Sequence, residues 1–170
     1  GKSGNYERKS YIHIEIFRRN IMKNNVTGKV ISINISDKKG IIKQPIEIGV
    51  FEEDFGLKED AHGGKWHRQV SLLAQESIDK MTNLGVEWLV PGKFAENITT
   101  EGIVLYTLPV GTLLKIGETI QEVTQIGKEC HSGCAIKQAV GKCIMPKEGI
   151  FTKVIKGGKV KAGDTIEVIE

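Results

Sequence analysis

The stretch Gly28-Lys29-Val30-Ile31-Ser32-Ile33-Asn34-Ile35-Ser36 alternates between apolar and polar side chains. Because successive side chains of a strand point to opposite faces of a sheet, this alternation predicts a half-buried β-strand. Asp37-Lys38-Lys39-Gly40 follows and predicts a turn, with glycine at its end. The first clear element of the chain is therefore a strand that ends in a tight turn.

Short apolar segments separated by turns continue toward the C-terminus. Ile46–Val50 and Val70–Leu73 predict two further strands, and the aperiodic, charged stretch 54–68 between them predicts a loop. One helix is predicted over 74–81 and a second short helix over 135–140. The pattern therefore favours a β-rich fold with few helices.

Two segments of the chain echo each other. Leu114–Ile120 (LKIGETI) and Val160–Ile166 (VKAGDTI) both lead through Lys-x-Gly-acid into Thr-Ile. The glycine can adopt a positive φ, and the acidic side chain can accept hydrogen bonds from nearby backbone N–H groups. Turns of this kind connect short strands in many all-β proteins, so the sequence predicts a mainly β fold, a barrel or a sandwich.

Composition and charge are those of one globular domain. The chain has 170 residues, of which 39% are hydrophobic and 26% charged, with a net charge of +3. The sequence shows no basic face with interleaved aromatic residues, which is the pattern that indicates nucleic-acid binding. No apolar run approaches the roughly 20 residues that span a bilayer, and no signal peptide is evident. We expect a cytoplasmic protein without a membrane or nucleic-acid partner.

The first residues of the chain differ from the rest. Residues 1–21 are basic, begin with the flexible Gly1–Gly4, and alternate only weakly, whereas the clear strand pattern begins after Met22. We expect residues 1–21 to be an N-terminal extension or a tail added for expression. The domain is then expected to comprise residues 22–170.

Three cysteines, an odd number in a chain without an evident export signal, argue against a disulfide framework. Cys130 lies between the charged or polar residues Glu129 and His131, and a partly exposed thiol near cationic groups is a competent nucleophile or metal ligand. Cys134 and Cys143 have apolar neighbours and are expected to pack as small core residues. A structural zinc site is disfavoured, because the second tight Cys/His pair is missing.

Two further segments carry side chains suited to ligand binding. In Asp60–Arg68 (DAHGGKWHR), paired glycines can expose backbone N–H groups. Four side chains there can donate to phosphate or another oxyanion: His62, Lys65, His67 and Arg68. The same composition also suits a solvated loop. In Pro91–Thr99 (PGKFAENIT), Glu96 and Asn97 beside Phe94 could hydrogen-bond a heterocycle. Alternatively, Asn97 caps a turn and Phe94 packs in the core.

These segments, in this order, resemble the MOSC family, named for the C-terminal domain of molybdenum cofactor sulfurase. The resemblance covers about residues 26–170. It rests on Asp60–Gly64 with Arg68–Leu73, Pro91–Thr99, Gly111–Cys130, Gly141–Pro146, Gly149–Val154 and Gly157-Gly158.

The resemblance implies a mostly antiparallel β-barrel with a few short helices and an essential cysteine, by position Cys130. In multidomain relatives a MOSC domain follows a pyridoxal-phosphate-dependent desulfurase and is thought to bind molybdenum cofactor during sulfur delivery. In relatives that reduce N-hydroxylated compounds, the cysteine coordinates molybdenum. We expect this chain to bind molybdenum cofactor (molybdopterin) and to need pyridoxal phosphate only through a partner. That partner would be a cysteine desulfurase or a molybdoenzyme.

The resemblance also suggests roles for individual residues. Cys130 would carry sulfur or ligate the metal, and Phe94 would shield one face of the pterin. Glu96 and Asn97 would meet the donors and acceptors of the pterin ring. The residues expected to grip the phosphate are His62, Gly63, Lys65 and Arg68.

Three functional classes stay open at this point: a cofactor-binding sulfur carrier, which we favour, a molybdenum-dependent reductase of N-hydroxylated compounds, and a cofactor-free interaction domain. Whether the chain is an enzyme, and its oligomeric state, are not indicated by the sequence.

Overall fold

The structure is a computed structural model that describes residues 26–85, 89–128 and 145–170. Four features expected from the sequence lie outside these residues: the extension over 1–21, the domain start at Met22, the short helix over 135–140, and the cysteines with their neighbours at 129–134 and 143. Within the described ranges, no helix is long and apolar enough to cross a membrane.

The described residues form eleven strands and three short helices. The strands are β1 (Thr27–Ile35), β2 (Gln44–Ile46), β3 (Ile48–Glu52), β4 (Gly56–Leu57), β5 (Val70–Ala74), β6 (Ile98–Glu101), β7 (Leu113–Ile116), β8 (Thr119–Ile126), β9 (Ile150–Lys156), β10 (Gly158–Lys161) and β11 (Thr165–Val168). The helices are α1 (Gln75–Thr82), α2 (Met145–Glu148) and a 3-10 helix (Leu105–Thr107).

Seven strands close into a barrel in the order β1-β11-β7-β8-β9-β5-β6 and back to β1. All neighbours in this ring are antiparallel except β5 and β6, which run parallel. Strand β2 extends β1 outside the ring, and β10, β3 and β4 form a small separate sheet. The expected mostly antiparallel β-barrel is confirmed.

Aliphatic side chains fill the barrel interior, and a smaller apolar cluster covers part of the outer wall. Fully buried interior residues include Ile33, Leu72, Ile98, Leu114, Val123, Ile150 and Ile166. The outer cluster comprises Leu73, Ile78, Met81, Leu89, Phe94 and Phe151, so that α1 packs its apolar face against the wall. Burial of these side chains is the main force that closes the fold.

A β-bulge in β1 breaks the alternation that predicted this strand. The pairing of β1 with β6 shifts register between Val30 and Ser32. A bulge adds one residue to a strand, so Val30 and Ile33, three positions apart, both reach the interior. Asn34 is consequently buried on the opposite face of the strand, where it takes part in the hydrogen-bond network described below.

The other strand predictions hold with shifts at the ends, except that the single strand predicted over Ile46–Val50 is wrong. The chain leaves the sheet of β1 after Ile46 and joins that of β10 at Ile48, so two short strands replace one. The loop predicted over 54–68 is confirmed apart from the two-residue strand β4.

The two echoing segments meet each other at one end of the molecule. As expected, their acids accept backbone hydrogen bonds: Asp164 from the N–H of Lys161 at 2.9 Å, and Glu118 from the N–H of Lys159 at 3.0 Å. The N–H of Gly117 donates to the carbonyl of Thr165 at 3.1 Å. Hydrogen bonds between the two segments therefore stabilise both turns.

One glycine is required by a close backbone approach. Gly92 has φ +93°, its carbonyl accepts from the N–H of Lys43 at 2.9 Å, and a Cβ at this position would lie 2.1 Å from the Lys43 carbonyl oxygen. Such a contact is too short for any side chain, so the 91–92 turn must shift if Gly92 is replaced.

We predict that Gly92→Ala lowers the free energy of unfolding by about 3 kcal/mol or more, because it adds a backbone clash to the strain of a positive φ. Gly163→Ala is the matched control, since Gly163 has φ +92° but nothing within 4 Å of its Cβ position. Gly163→Ala should lower the free energy of unfolding by only about 1 kcal/mol. Urea unfolding of the two variants measures the difference, and equal losses would contradict the predicted clash.

Candidate functional site

A small cleft lies on the outer face of the barrel wall, where Ser71 of β5 pairs with Phe151 of β9. Because Val70 and Leu72 point into the interior, Ser71 between them faces outward. The cleft has a volume of about 30 Å³ and is lined by His62, Arg68, Ser71, Phe94, Ala95, Lys128 and Phe151. The structure thus brings together His62, Arg68 and Phe94, which the sequence proposed from two separate segments.

The cleft combines aromatic walls with positive charge. Phe94 and Phe151 are each 6% exposed, and the guanidinium carbon of Arg68 lies 5.4 Å from the centroid of the Phe151 ring. Arg68 Nε donates to Gln125 Oε1 at 3.1 Å, which orients the guanidinium plane. Lys128 adds a second cation, and no carboxylate is among the described lining residues. This combination favours an anionic ligand.

A buried ion pair lies directly behind His62. Lys43 is 1% exposed, and its Nζ lies 2.8 Å from Asp60 Oδ1, 3.1 Å from Ser36 Oγ and 3.0 Å from His62 Nδ1. An ammonium has three N–H donors, so all three are satisfied by these contacts. The ion pair therefore connects the end of β1 to the cleft.

Asp60 holds the loop that carries His62. Its Oδ1 accepts from the N–H of Ser36 and its Oδ2 from the N–H of His62, both at 3.1 Å, the second bond forming an Asx-turn. Burial raises the pKa of Asp60, whereas the hydrogen bonds from Lys43 and from the Ser36 N–H lower it, and that pKa lies below its ordinary value of 3.8. Since the lowered pKa stabilises the fold above the ordinary value, this contribution is lost only as the pH falls below about 4.

The structure places Gly63 and Lys65 outside the cleft lining. The expectation that the paired glycines expose their N–H groups is wrong, because Gly63 donates to the carbonyl of Asp60 at 3.1 Å and Gly64 to that of Phe55 at 2.8 Å. A Cβ on Gly63 would lie 2.5 Å from the Phe55 ring, so packing explains this glycine. Lys65 is exposed to solvent.

Asn97 is fully buried behind the cleft rather than at its surface. Its Oδ1 accepts from the N–H of Ser71 at 3.1 Å, and its Nδ2 donates to the carbonyl of Asn34 at 3.2 Å. These bonds join β1 to β5 and position Ser71, which lines the cleft. The side chain thus bonds to the backbone of two strands and does not cap a turn, as one interpretation of this segment had suggested.

Glu96 is likewise fully buried, and protein groups occupy both of its oxygens. Oε1 accepts from the N–H of Gly92 at 3.0 Å, and Oε2 from the hydroxyl of Thr99 at 2.9 Å. Burial raises the pKa of Glu96 to about 7, against the opposing effect of hydrogen bonds from Thr99 and from the backbone. Glu96 therefore braces the turn that leads into Phe94.

Several residues around the cleft received no role from the sequence: Lys43, Asp60, Ser71, Ala95, Lys128 and Phe151. Asp60 carries a recognisable signal, because an Asp at the start of a Gly-rich loop is typical of an Asx-turn, in which its side chain bonds the N–H two residues on. Ala95 adopts a positive φ of +60°, a conformation that non-glycine residues rarely take and that sequence patterns do not reveal. Lys43 carries no signal, since a lysine beside Gln44 and Pro45 resembles a surface residue.

A family model for the MOSC domain matches residues 59–167, well over half of the chain. The chain belongs to the MOSC domain family. The resemblance drawn from the sequence is thereby confirmed, and the matched region includes every described residue that lines the cleft. The family is associated with molybdenum cofactor.

Solved structures show the same fold at low sequence identity. The YuaD protein of Bacillus subtilis has a TM-score of 0.71 at 19% identity, covering 85% of this MOSC domain chain and 96% of YuaD. YiiM from Escherichia coli has a TM-score of 0.63 at 19% identity, covering 85% of this chain and 70% of that one. YiiM from Geobacillus stearothermophilus has a TM-score of 0.66 at 18% identity, covering 84% and 75%. A search of curated proteins gave no match.

The pH dependence of stability tests the buried position of Glu96. Its pKa rises from 4.5 to about 7 on folding, so its stabilising contribution is complete below pH 4.5 and is lost as the pH rises through 7. We predict that the free energy of unfolding of the wild type, relative to Glu96→Gln, falls by about 2 kcal/mol between pH 5 and pH 8. Chemical denaturation of both proteins at several pH values measures this difference in the free energy of unfolding.

Glu47→Gln, at an exposed position, is the control. It should follow the wild-type pH profile. A difference between wild type and Glu96→Gln that stays constant from pH 5 to pH 8 would contradict a buried, raised-pKa carboxyl.

Proposed function

We propose that this MOSC domain is a molybdenum cofactor-binding sulfur carrier, which accepts sulfur on Cys130 from a pyridoxal-phosphate-dependent cysteine desulfurase in trans. The observation that carries the proposal is the cleft, in which Arg68, Lys128 and His62 meet two phenylalanine rings. Membership of the MOSC domain family supports the choice of cofactor.

The donor set of the cleft fits the phosphate end of the cofactor. Arg68 offers guanidinium N–H groups in a fixed orientation, and Lys128 offers a mobile point charge. We assign the cleft to the phosphate rather than to the pterin rings, because its cationic donors match the oxygens of a phosphate group. Phe94 and Phe151 exclude water from this contact and strengthen its electrostatic attraction.

Glu96 and Asn97 take a different role here from direct ring contact. Both side chains are 0% exposed and bonded within the protein, which supports a role in holding Phe94 and Ser71 in place. Gly63 and Lys65, which do not line the cleft, are given no contact with the ligand in this proposal.

The sulfur chemistry is assigned to Cys130, which lies outside the described residues. Lys128, two positions earlier in the sequence, lines the cleft, and this proximity along the chain supports a location of Cys130 near the bound cofactor. In the proposed transfer, the Cys130 thiolate attacks the outer sulfur of a desulfurase persulfide. A new S–S bond forms on Cys130, the old S–S bond breaks, and the desulfurase cysteine leaves as a thiolate. When bound, the cofactor supplies the metal centre that receives the sulfur.

Cofactor retention tests the proposal. We expect Arg68→Met to reduce the pterin content of protein purified from molybdenum-replete cells by about tenfold or more, because it removes a charge-assisted contact to phosphate. Fluorescence of the oxidised pterin released from a known amount of protein measures this content.

Lys65→Met removes a positive charge from the same loop but outside the cleft, and it should retain cofactor to within about twofold of the wild type. Loss of cofactor in Lys65→Met to the same degree as in Arg68→Met would show that net charge, not the cleft, governs binding. Full retention in Arg68→Met would refute the assignment of the cleft.

A further inference from the structure

We propose that Lys43 is a positioning residue that holds His62 in one tautomer, with Nδ1 unprotonated and the proton on Nε2, so that the cleft receives a fixed neutral donor. The assignment of Lys43 and His62 follows from their own geometry. Only the nature of the ligand that the donor meets, a phosphate group, rests on the proposed function.

The hydrogen bonds of the Lys43 ammonium determine the tautomer. Lys43 Nζ lies 3.0 Å from His62 Nδ1, and an ammonium can only donate. Nδ1 must therefore accept with its lone pair, and in a neutral imidazole the proton is then on Nε2. Nε2 makes no hydrogen bond to another residue of the described ranges, and His62 lines the cleft.

The opposite arrangement, an imidazolium that donates from Nδ1 to Asp60, does not fit the distances. Nδ1 lies 3.7 Å from Asp60 Oδ2, beyond the range of an N–H···O bond. An imidazolium would also place a second positive charge 3.0 Å from the Lys43 ammonium at a buried site. The neutral ring accepts the hydrogen bond from Lys43, whereas the imidazolium would lose that bond and face a second positive charge.

The surroundings of both side chains leave little freedom to change partners. The N–H of Lys43 donates to Gly92, and its side chain is buried against Asp60 and Ser36. The His62 N–H donates to Asp60, and the His62 carbonyl accepts from Trp66 Nε1 at 2.8 Å. The backbone of His62 is therefore fixed by Asp60 at its N–H and by Trp66 at its carbonyl.

A neutral donor in this position complements the two cations of the cleft. Arg68 and Lys128 attract an anion from a distance, whereas an N–H with a fixed direction selects where an oxygen of that anion lies. We infer that the Lys43–His62 contact makes the cleft selective for an oxyanion of defined geometry rather than for any negative charge.

The tautomer can be read directly by nuclear magnetic resonance of cofactor-free protein labelled with ¹⁵N-histidine. Long-range ¹H–¹⁵N correlation spectra distinguish a protonated from an unprotonated ring nitrogen, and His62→Gln assigns the His62 signals. At pH 8, where an ordinary imidazole is neutral, we expect an unprotonated Nδ1 and a protonated Nε2 for His62. In the charge-neutral double variant Lys43→Met/Asp60→Asn, the two tautomers should become mixed.

Lys128→Met is the matched control, because it removes a lysine from the same cleft without touching His62 Nδ1. Binding of inorganic phosphate should weaken about fivefold or more in both variants, but only the double variant should change the tautomer. A proton on Nδ1 in the wild type, or an unchanged tautomer in a folded double variant, would overturn the inference.

The wild-type spectrum alone shows which ring nitrogen of His62 carries the proton, even if the double variant does not fold. Because these spectra need no cofactor, a failure of cofactor retention in the wild type would count against the proposed function and leave the tautomer result standing.

Discussion

The buried ion pair between Lys43 and Asp60 is the constraint on which the candidate site depends. Taking two charges out of water is expensive, and the pair persists only because hydrogen bonds satisfy the remaining donors and acceptors. Here Ser36 contacts both charged groups and His62 completes the set, with Nζ to Oδ1 at 2.8 Å. Removing one partner of such a pair typically costs about 3–5 kcal/mol, so the segments that it joins are held together firmly.

A second buried polar network supports the other side of the cleft. The bulge in β1 turns Asn34 toward Thr99, and Thr99 in turn donates to Glu96, which braces Gly92. Gly92 also accepts from the backbone of Lys43, so the two networks meet at the 91–92 turn. The cleft is thus preorganised from both sides, which is what recognition of a small anion requires.

The fold was predictable from the sequence because its signals are local. The alternation over 28–36 and the repeated Lys-x-Gly-acid turns depend on backbone geometry that neighbouring residues determine. The bulge between Val30 and Ser32 was not predictable, since it depends on the pairing partner β6, which lies far along the chain. The split of Ile46–Val50 into two strands has the same origin.

Site residues were predictable from the sequence only where a side chain of suitable chemistry is also accessible to a ligand. Arg68 and His62 combine suitable chemistry with partly exposed positions in a loop, and they meet in the cleft beside Phe94. Glu96 and Asn97 have equally suitable chemistry, but tertiary packing buries them. Lys43 is the reverse case: lysine is almost never fully buried, so no sequence pattern points to its place behind His62.

The central claim, that Cys130 is the sulfur-bearing residue of this domain, is tested most directly by intact-mass measurement after sulfur transfer. Reduced protein is incubated with a pyridoxal-phosphate-dependent cysteine desulfurase and cysteine, alongside the single variants Cys130→Ser, Cys134→Ser and Cys143→Ser. The account predicts one added sulfur atom on the wild type, on Cys134→Ser and on Cys143→Ser, and none on Cys130→Ser. Sulfur on Cys130→Ser, or none on the wild type, would contradict it.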